Sequence, residues 1–222
     1  MLMPGHANGS TISTKETLVL AAERLFAAHG IDGVSIRQIL LEAGVANNSA
    51  VQYHFESKAG LVRAIVDYRA PYLAERRRLL WAQAPAGDLR AGVEAQFLPV
   101  AELAEFKDSH FMTFLEQLDL RRTDEHPFQL LPSDTLNTYR EYENRIGALL
   151  LPEVPAAMLS RRLLHASSLC IHMCAMRERG RHRAAEQIPL AVHVNELFDL
   201  LIGVLTVEVS EQTRIALSQN LE

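Results

Sequence analysis

From residue 13 onward, apolar residues in this 222-residue chain return every three or four positions, and no β-branched run alternates with period two. That regularity predicts an all-α protein, in which every buried surface must be made by helix against helix. Hydrophobic residues are 48% and charged residues 22%, ordinary globular values, so a packed core is expected rather than a disordered chain. The two cysteines, Cys170 and Cys174, are too few for a disulfide framework or a four-thiolate zinc site. A reduced, intracellular protein is expected.

Local signals divide the chain. Residues 1–12 read as a flexible arm without the basic and apolar regions of a signal peptide. Ser13 with Glu16 has capping-box spacing and opens a helix whose inner face is Leu18, Ala21, Ala22, Leu25 and Phe26, ending at Gly30. Ser35 with Gln38 repeats the spacing and opens a short second helix that Gly44 ends. Asn47 can cap a third short helix that carries Val51 and ends near His54. Ser57 caps a fourth running toward Trp81. A small core of Leu25, Phe26, Val34, Ile39, Val45, Val51 and Phe55 follows, with the fourth helix beneath it. Residues 84–88 then read as a linker, and further breaks fall at 123–132, 151–155 and 179–183. About nine helices are expected.

Charge does not decide the partner. The net charge of −5 is wrong for a simple nucleic-acid binder. Through Arg69, however, six cations (Lys15, Arg24, Arg37, Lys58, Arg63, Arg69) meet six anions (Glu16, Glu23, Asp32, Glu42, Glu56, Asp67), so the first part is neutral. A neutral module can hold DNA if its cations and backbone amides face one way.

The texts LAAERLFAAHGIDGVSIRQIL, EAGV and VQYHFESKAGL follow one another in order. This stretch, roughly 17–61, resembles the TetR family of transcriptional regulators. The resemblance implies a helix-turn-helix DNA-binding domain (13–57) followed by a helical effector-binding and dimerisation domain (58–222). Two departures stand out. One extra residue lies between Gly44 and Phe55, and Gln52 occupies the place often held by a phosphate-contacting tyrosine.

The resemblance places DNA contacts at Arg37, Asn47, Asn48, Ser49, Ala50, Gln52, Tyr53, His54 and Lys58. The chemistry fits. Arginine offers a fork of donors to guanine or phosphate, Asn and Gln pair with adenine, and Ala50 could touch a thymine methyl. Asn48 and Gln52 are the better readers of bases, while Asn47 serves as a cap. Tyr53, His54 and Lys58 suit phosphate oxygens, although Tyr53 could equally pack inward. The bland alternatives are a solvated Arg37 and ordinary turn residues at 47–49.

Pro71 interrupts the fourth helical pattern and predicts a bend, either a signalling lever or a fixed one. The last two long helices are apolar on more than one stripe, which predicts a homodimer contact through Leu159, Leu163, Leu197, Leu201 and Val204, or else a buried helix in a monomer. An effector pocket, implied by the family, would draw on Phe97, Phe111, Phe114, Leu115, Tyr139, His165 and Met173. Pro99 would free a carbonyl near Ala95. His165 and His172 lie roughly opposite Cys170 and Cys174 on one helix, so a metal site is not expected and each is read as packing, with a lone thiol left open as a ligand contact. The basic run 177–183 reads as a solvated loop.

The sequence therefore predicts a cytoplasmic, homodimeric DNA-binding regulator, most simply a repressor released by a small apolar or amphipathic effector. It expects no cofactor, metal, enzyme activity or membrane partner. A helical protein-interaction adaptor with secondary DNA contact is the alternative.

Overall fold

The computed structural model describes residues 13–47, 49–120, 133–150, 154–183 and 188–219, with the side chains of 133–139 left aside. These residues form ten helices and no strand: α1 Thr14–His29, α2 Ile36–Glu42, α3 Ala50–Phe55, α4 Lys58–Gln83, α5 Leu89–Ala104, α6 Phe111–Leu120, α7 Ser133–Leu150, α8 Ala156–His182, α9 Leu190–Thr206 and α10 Glu211–Gln219. The count exceeds the expected nine because the polar segment after α9 forms a helix of its own. None of its residues is buried, which is why no apolar stripe announced it.

Helix starts follow the local chemistry. Ser13 Oγ accepts from the Glu16 amide, and the Glu16 carboxylate accepts from the Ser13 amide at 3.0 Å. Ser35 and Gln38 repeat the exchange at α2, with 2.8 Å from the Ser35 amide to Gln38 Oε1. Ser57 caps α4 and Asp88 caps α5. Each box satisfies donors that the first helical turn would otherwise leave unpaired. Ser35→Ala should therefore cost about 1 kcal/mol, read as a shift in the urea midpoint; no shift would mean that water caps α2 equally well.

The turn from α2 to α3 is closed by a Schellman pair. Val45 N–H donates to Leu40 O at 2.9 Å and Gly44 N–H to Leu41 O at 3.1 Å, with Gly44 at φ +64°. Only glycine takes that backbone cheaply. At the next corner the chain folds so tightly that a Cβ on Gly60 would lie 1.9 Å from Phe55 O.

Leu18, Ala22 and Phe26 of α1 pack on Ile39, Val51, Phe55 and Leu61. Leu25 and Val45, expected in this core, are only partly buried at its edge. The first half of α4 lies under this head, and α4 also packs along α5. Helix α6 sits between α1 and α8, while α9 lies against α5 and α8. α4 runs as one helix across Pro71.

Two buried carboxylates tie the layers together. Glu23 on α1 and Arg69 on α4 are both 1% exposed and meet in a fork, Nε to Oε2 at 2.9 Å and Nη2 to Oε1 at 2.7 Å. The backbone N–H of His110, just before α6, donates to the same Glu23 carboxylate at 2.8 Å. Glu178 on α8 is fully buried and accepts from Thr113 N–H and O–H, Met112 N–H and Ser109 O–H. It thus closes the start of α6.

The basic run at the end of α8 corrects an expectation. Residues 177–182 are helical, not a solvated loop. Arg177 pairs with Glu105 and Arg179 with Glu116, while Arg181 donates to the carbonyls of Ala104, Lys107 and Ser109. The carbonyls where α5 ends lack helical partners, and these cations supply them. His182 Nε2 reaches Ser109 O at 2.8 Å, and its ring stacks on His110 at 4.0 Å. Burial, then His182, pushes His110 down to about 4.

Candidate nucleic-acid interface and internal cavity

The α2–α3 unit has one sealed side and one open side. Val51 and Phe55 face the core, whereas Arg37, Asn47, Ser49, Gln52 and Tyr53 are exposed. Tyr53 is 81% exposed, which resolves its direction: outward. Its ring meets the half-buried His54 edge-on at 4.9 Å. Asn47 Oδ1 accepts from the amide (3.0 Å) and hydroxyl (2.8 Å) of Ser49, so it braces the turn just ahead of α3, as a cap would. Asn48 lies outside the described residues.

Two expected contacts are corrected. Ala50 is 4% exposed and belongs to the head's core beside Val51, so its methyl is not offered to a thymine. A six-residue helix has room for one inward face only, and Ala50, Val51 and Phe55 fill it. Lys58 also turns inward. Its ammonium donates to the Val34 carbonyl and lies 5.7 Å from the centre of the Phe26 ring. That carbonyl and ring hold the charge against the head rather than at its open side. Missed by sequence reading is Leu41, 82% exposed at the end of α2 beside the Arg24–Glu42 pair.

Behind the head, α4, α5, α6 and α8 enclose a cavity of about 100 Å³. Its wall is mostly apolar, and it includes Phe97, Phe111 and Leu115 as expected. Three other expected residues stand elsewhere. Phe114 is fully buried between Phe26 (6.3 Å) and Phe111 (6.1 Å), His165 is exposed, and Met173 packs on the core outside the wall. The Tyr139 side chain lies outside the described residues. Unforeseen wall residues include Val66, Ala70 and Leu73 of α4, Gln96 of α5 and Ser168 of α8, and the Cys170 thiol of α8 also reaches the wall. The α4 residues follow the helix that carries Arg69, so the cavity abuts the element tied to α1.

The carbonyl that Pro99 was expected to expose has a counterpart one residue on: Gln96 O accepts from Arg77 Nε at 3.1 Å. Cys170 and Cys174 are buried, with sulfurs 4.0 Å apart, and His172 turns to Glu116 instead. Among the described residues no group of His, Cys, Asp or Glu could hold a metal ion. The expected dimer residues also divide. Leu163, Leu197 and Leu201 are at most 1% exposed inside one subunit, whereas Leu159 and Val204 are partly exposed. The inward stripe of α9 is spent on α5 and α8, and its outward side carries Val192, Leu200 and Gly203 instead.

Residues 18–65 match the model of the family described as bacterial regulatory proteins, tetR family. Through this head, residues 18–65, the chain is similar to the TetR family. A TetR-like transcriptional regulator from Rhodococcus sp. RHA1 superposes with a TM-score of 0.56 at 12% identity, over 90% of this chain and 100% of that one. The TetR family regulator PfmR of Thermus thermophilus does so with 0.53 at 17%, over 86% and 99%. The regulator FadR of Bacillus subtilis, in complex with stearoyl-CoA, gives 0.54 at 14%, over 87% and 98%. At such identities the likeness is one of fold. No curated protein matches the chain. The TetR fold supports DNA-binding transcription regulation. Among the described residues no single helix is long and apolar enough to cross a membrane. Only α9 with α10 has that length and composition, and the two are bent by 51°.

Proposed function

We propose that this chain is a TetR-family regulator, a cytoplasmic, non-enzymatic repressor. It binds paired DNA half-sites as a homodimer and is released by a small effector. Residues 13–57 act as the reading head and 58–222 as the effector and dimer body. The observation that carries the reading is the open side of α2 and α3, where Arg37, Gln52 and Tyr53 stand exposed on a head sealed everywhere beneath. Arg37 and Gln52 read base edges, Tyr53 and His54 hold phosphates, and Ser49 and the backbone at Asn47 set the turn.

The geometry of α4 supports release by an effector. The effector sits against Val66, Ala70 and Leu73 of α4, and the same helix grips α1 through Arg69. A ligand that prefers one tilt of α4 changes the spacing of the two heads, and DNA affinity falls by no more than that preference. Dimerisation uses the outward sides of α8 and α9, where Met176, Val192 and Leu200 are exposed.

A gel shift with DNA upstream of the chain's own gene tests the head. Arg37→Ala and Gln52→Ala should each weaken the specific complex about tenfold to a hundredfold, with a smaller loss on competitor DNA. Equal losses on both would make these residues phosphate anchors. Undiminished binding would remove the proposed interface.

A further inference from the structure

Gln96 is 2% exposed, lines the cavity from α5, and its Oε1 has no hydrogen-bond partner. Ser168 lines the same cavity from α8, and its Oγ is likewise buried without a partner. Buried polar atoms are nearly always paired, and two unpaired ones on a single apolar cavity point to a missing partner. The rest of the described wall is aliphatic and aromatic, apart from Met112, Ser167, Cys170, Arg77 and Asp119, and the Cys170 sulfur lies 4.0 Å from that of Cys174. Ser167 donates to Leu163 O, and Arg77 Nε is engaged by the Gln96 carbonyl. The wall's one cation and one anion leave no net charge to receive an ion, which would lose its water without repayment.

We infer that the effector is an uncharged, largely apolar molecule bearing a hydroxyl or amide headgroup, whose donor hydrogen is taken by Gln96 and whose acceptor is met by Ser168. This rests on the proposed reading of the cavity as the effector site, and it narrows that reading to a chemical class. A hydroxyl carries both a donor and an acceptor, so one group can satisfy both walls. A carboxylate offers acceptors only and would leave Gln96 Oε1 unmatched. Arg77 and Gln96 also border an outer cleft between α4, α5 and α7, beside Trp81 and Arg145.

The probes are 1-octanol, di-n-butyl ether with the same number of heavy atoms but no donor, and octanoate, each titrated calorimetrically into the full chain. Wild type should bind octanol about tenfold more tightly than either of the others. Gln96→Leu should bring octanol and the ether within about twofold. Gln96→Met serves the same end if the leucine variant fails to fold, and it should melt no lower than wild type because an unpaired buried atom has gone. Octanoate binding as tightly as octanol, or an octanol preference that survives both variants, overturns the headgroup assignment while leaving the cavity as a site. Val100→Phe and Leu164→Phe fill the cavity and should abolish binding of all three probes. If none binds wild type, or filling changes nothing, the effector-site reading itself falls and the headgroup inference falls with it.

Discussion

Arg69→Met should destabilise the protein by about 3–5 kcal/mol, measured as the loss of unfolding free energy in urea. The reason is burial rather than the strength of the pair. Glu23 is 1% exposed, and without the guanidinium fork its carboxylate is left with the His110 amide at 2.8 Å. An ionised carboxylate so placed must either accept a proton or open the contact between α1, α4 and α6. The double variant Glu23→Leu/Arg69→Met should recover most of the loss, because replacing a buried pair by apolar groups is often nearly neutral. A single variant within about 1 kcal/mol of wild type would contradict this account. The double variant also separates stability from signalling. It keeps α1 packed on α4 by shape alone, so weaker effector release in it would assign the ion pair to transmission.

The second large effect concerns Glu178 and pH. Burial, opposed by the hydrogen bonds from Thr113 and Met112, raises its carboxyl from 4.5 to about 7. Between those values the folded chain holds a proton that the unfolded chain has released. The stability due to Glu178 is therefore fully present below about pH 4.5 and is lost as pH rises through 7. The loss amounts to about 3 kcal/mol. Glu178→Gln cannot titrate, although it gives up some of the four donated hydrogen bonds. The stability of wild type minus that of the variant should fall by about 3 kcal/mol between about pH 4 and pH 8. Taking the difference removes every other titrating group, and a difference that stays flat would refute the assignment.

What could be read from the chain follows the range of the interaction concerned. Ser13 with Glu16, Ser35 with Gln38, Ser57 and Gly44 act over a few residues, so their caps and turn are legible in the order of residues alone. Lys58 is not, because its partners Val34 and Phe26 are distant in sequence and a lysine after a capping serine ordinarily faces water. Arg181 misleads in the same way, since its acceptors lie more than 70 residues back at the end of α5. Leu163, Leu197 and Leu201 look like Leu200 in any apolar count, and only tertiary packing decides which faces inward. Glu23 does leave a signal. It stands four residues after Val19 and three before Phe26, a charge on the buried face of α1, and such a charge requires a partner. Gln96 leaves none, for a glutamine within a helix reads as surface until its burial is seen.

The central claim is that two copies of this chain present two α2–α3 heads to one duplex while the internal cavity controls their spacing. Sedimentation of the full chain with a duplex enriched from random DNA tests it most directly. Two chains should travel with each duplex, and the enriched sequence should hold paired half-sites about one helical turn, roughly 34 Å, or a multiple apart. One chain per duplex on a single unrepeated site, or no enriched sequence at all, would contradict it.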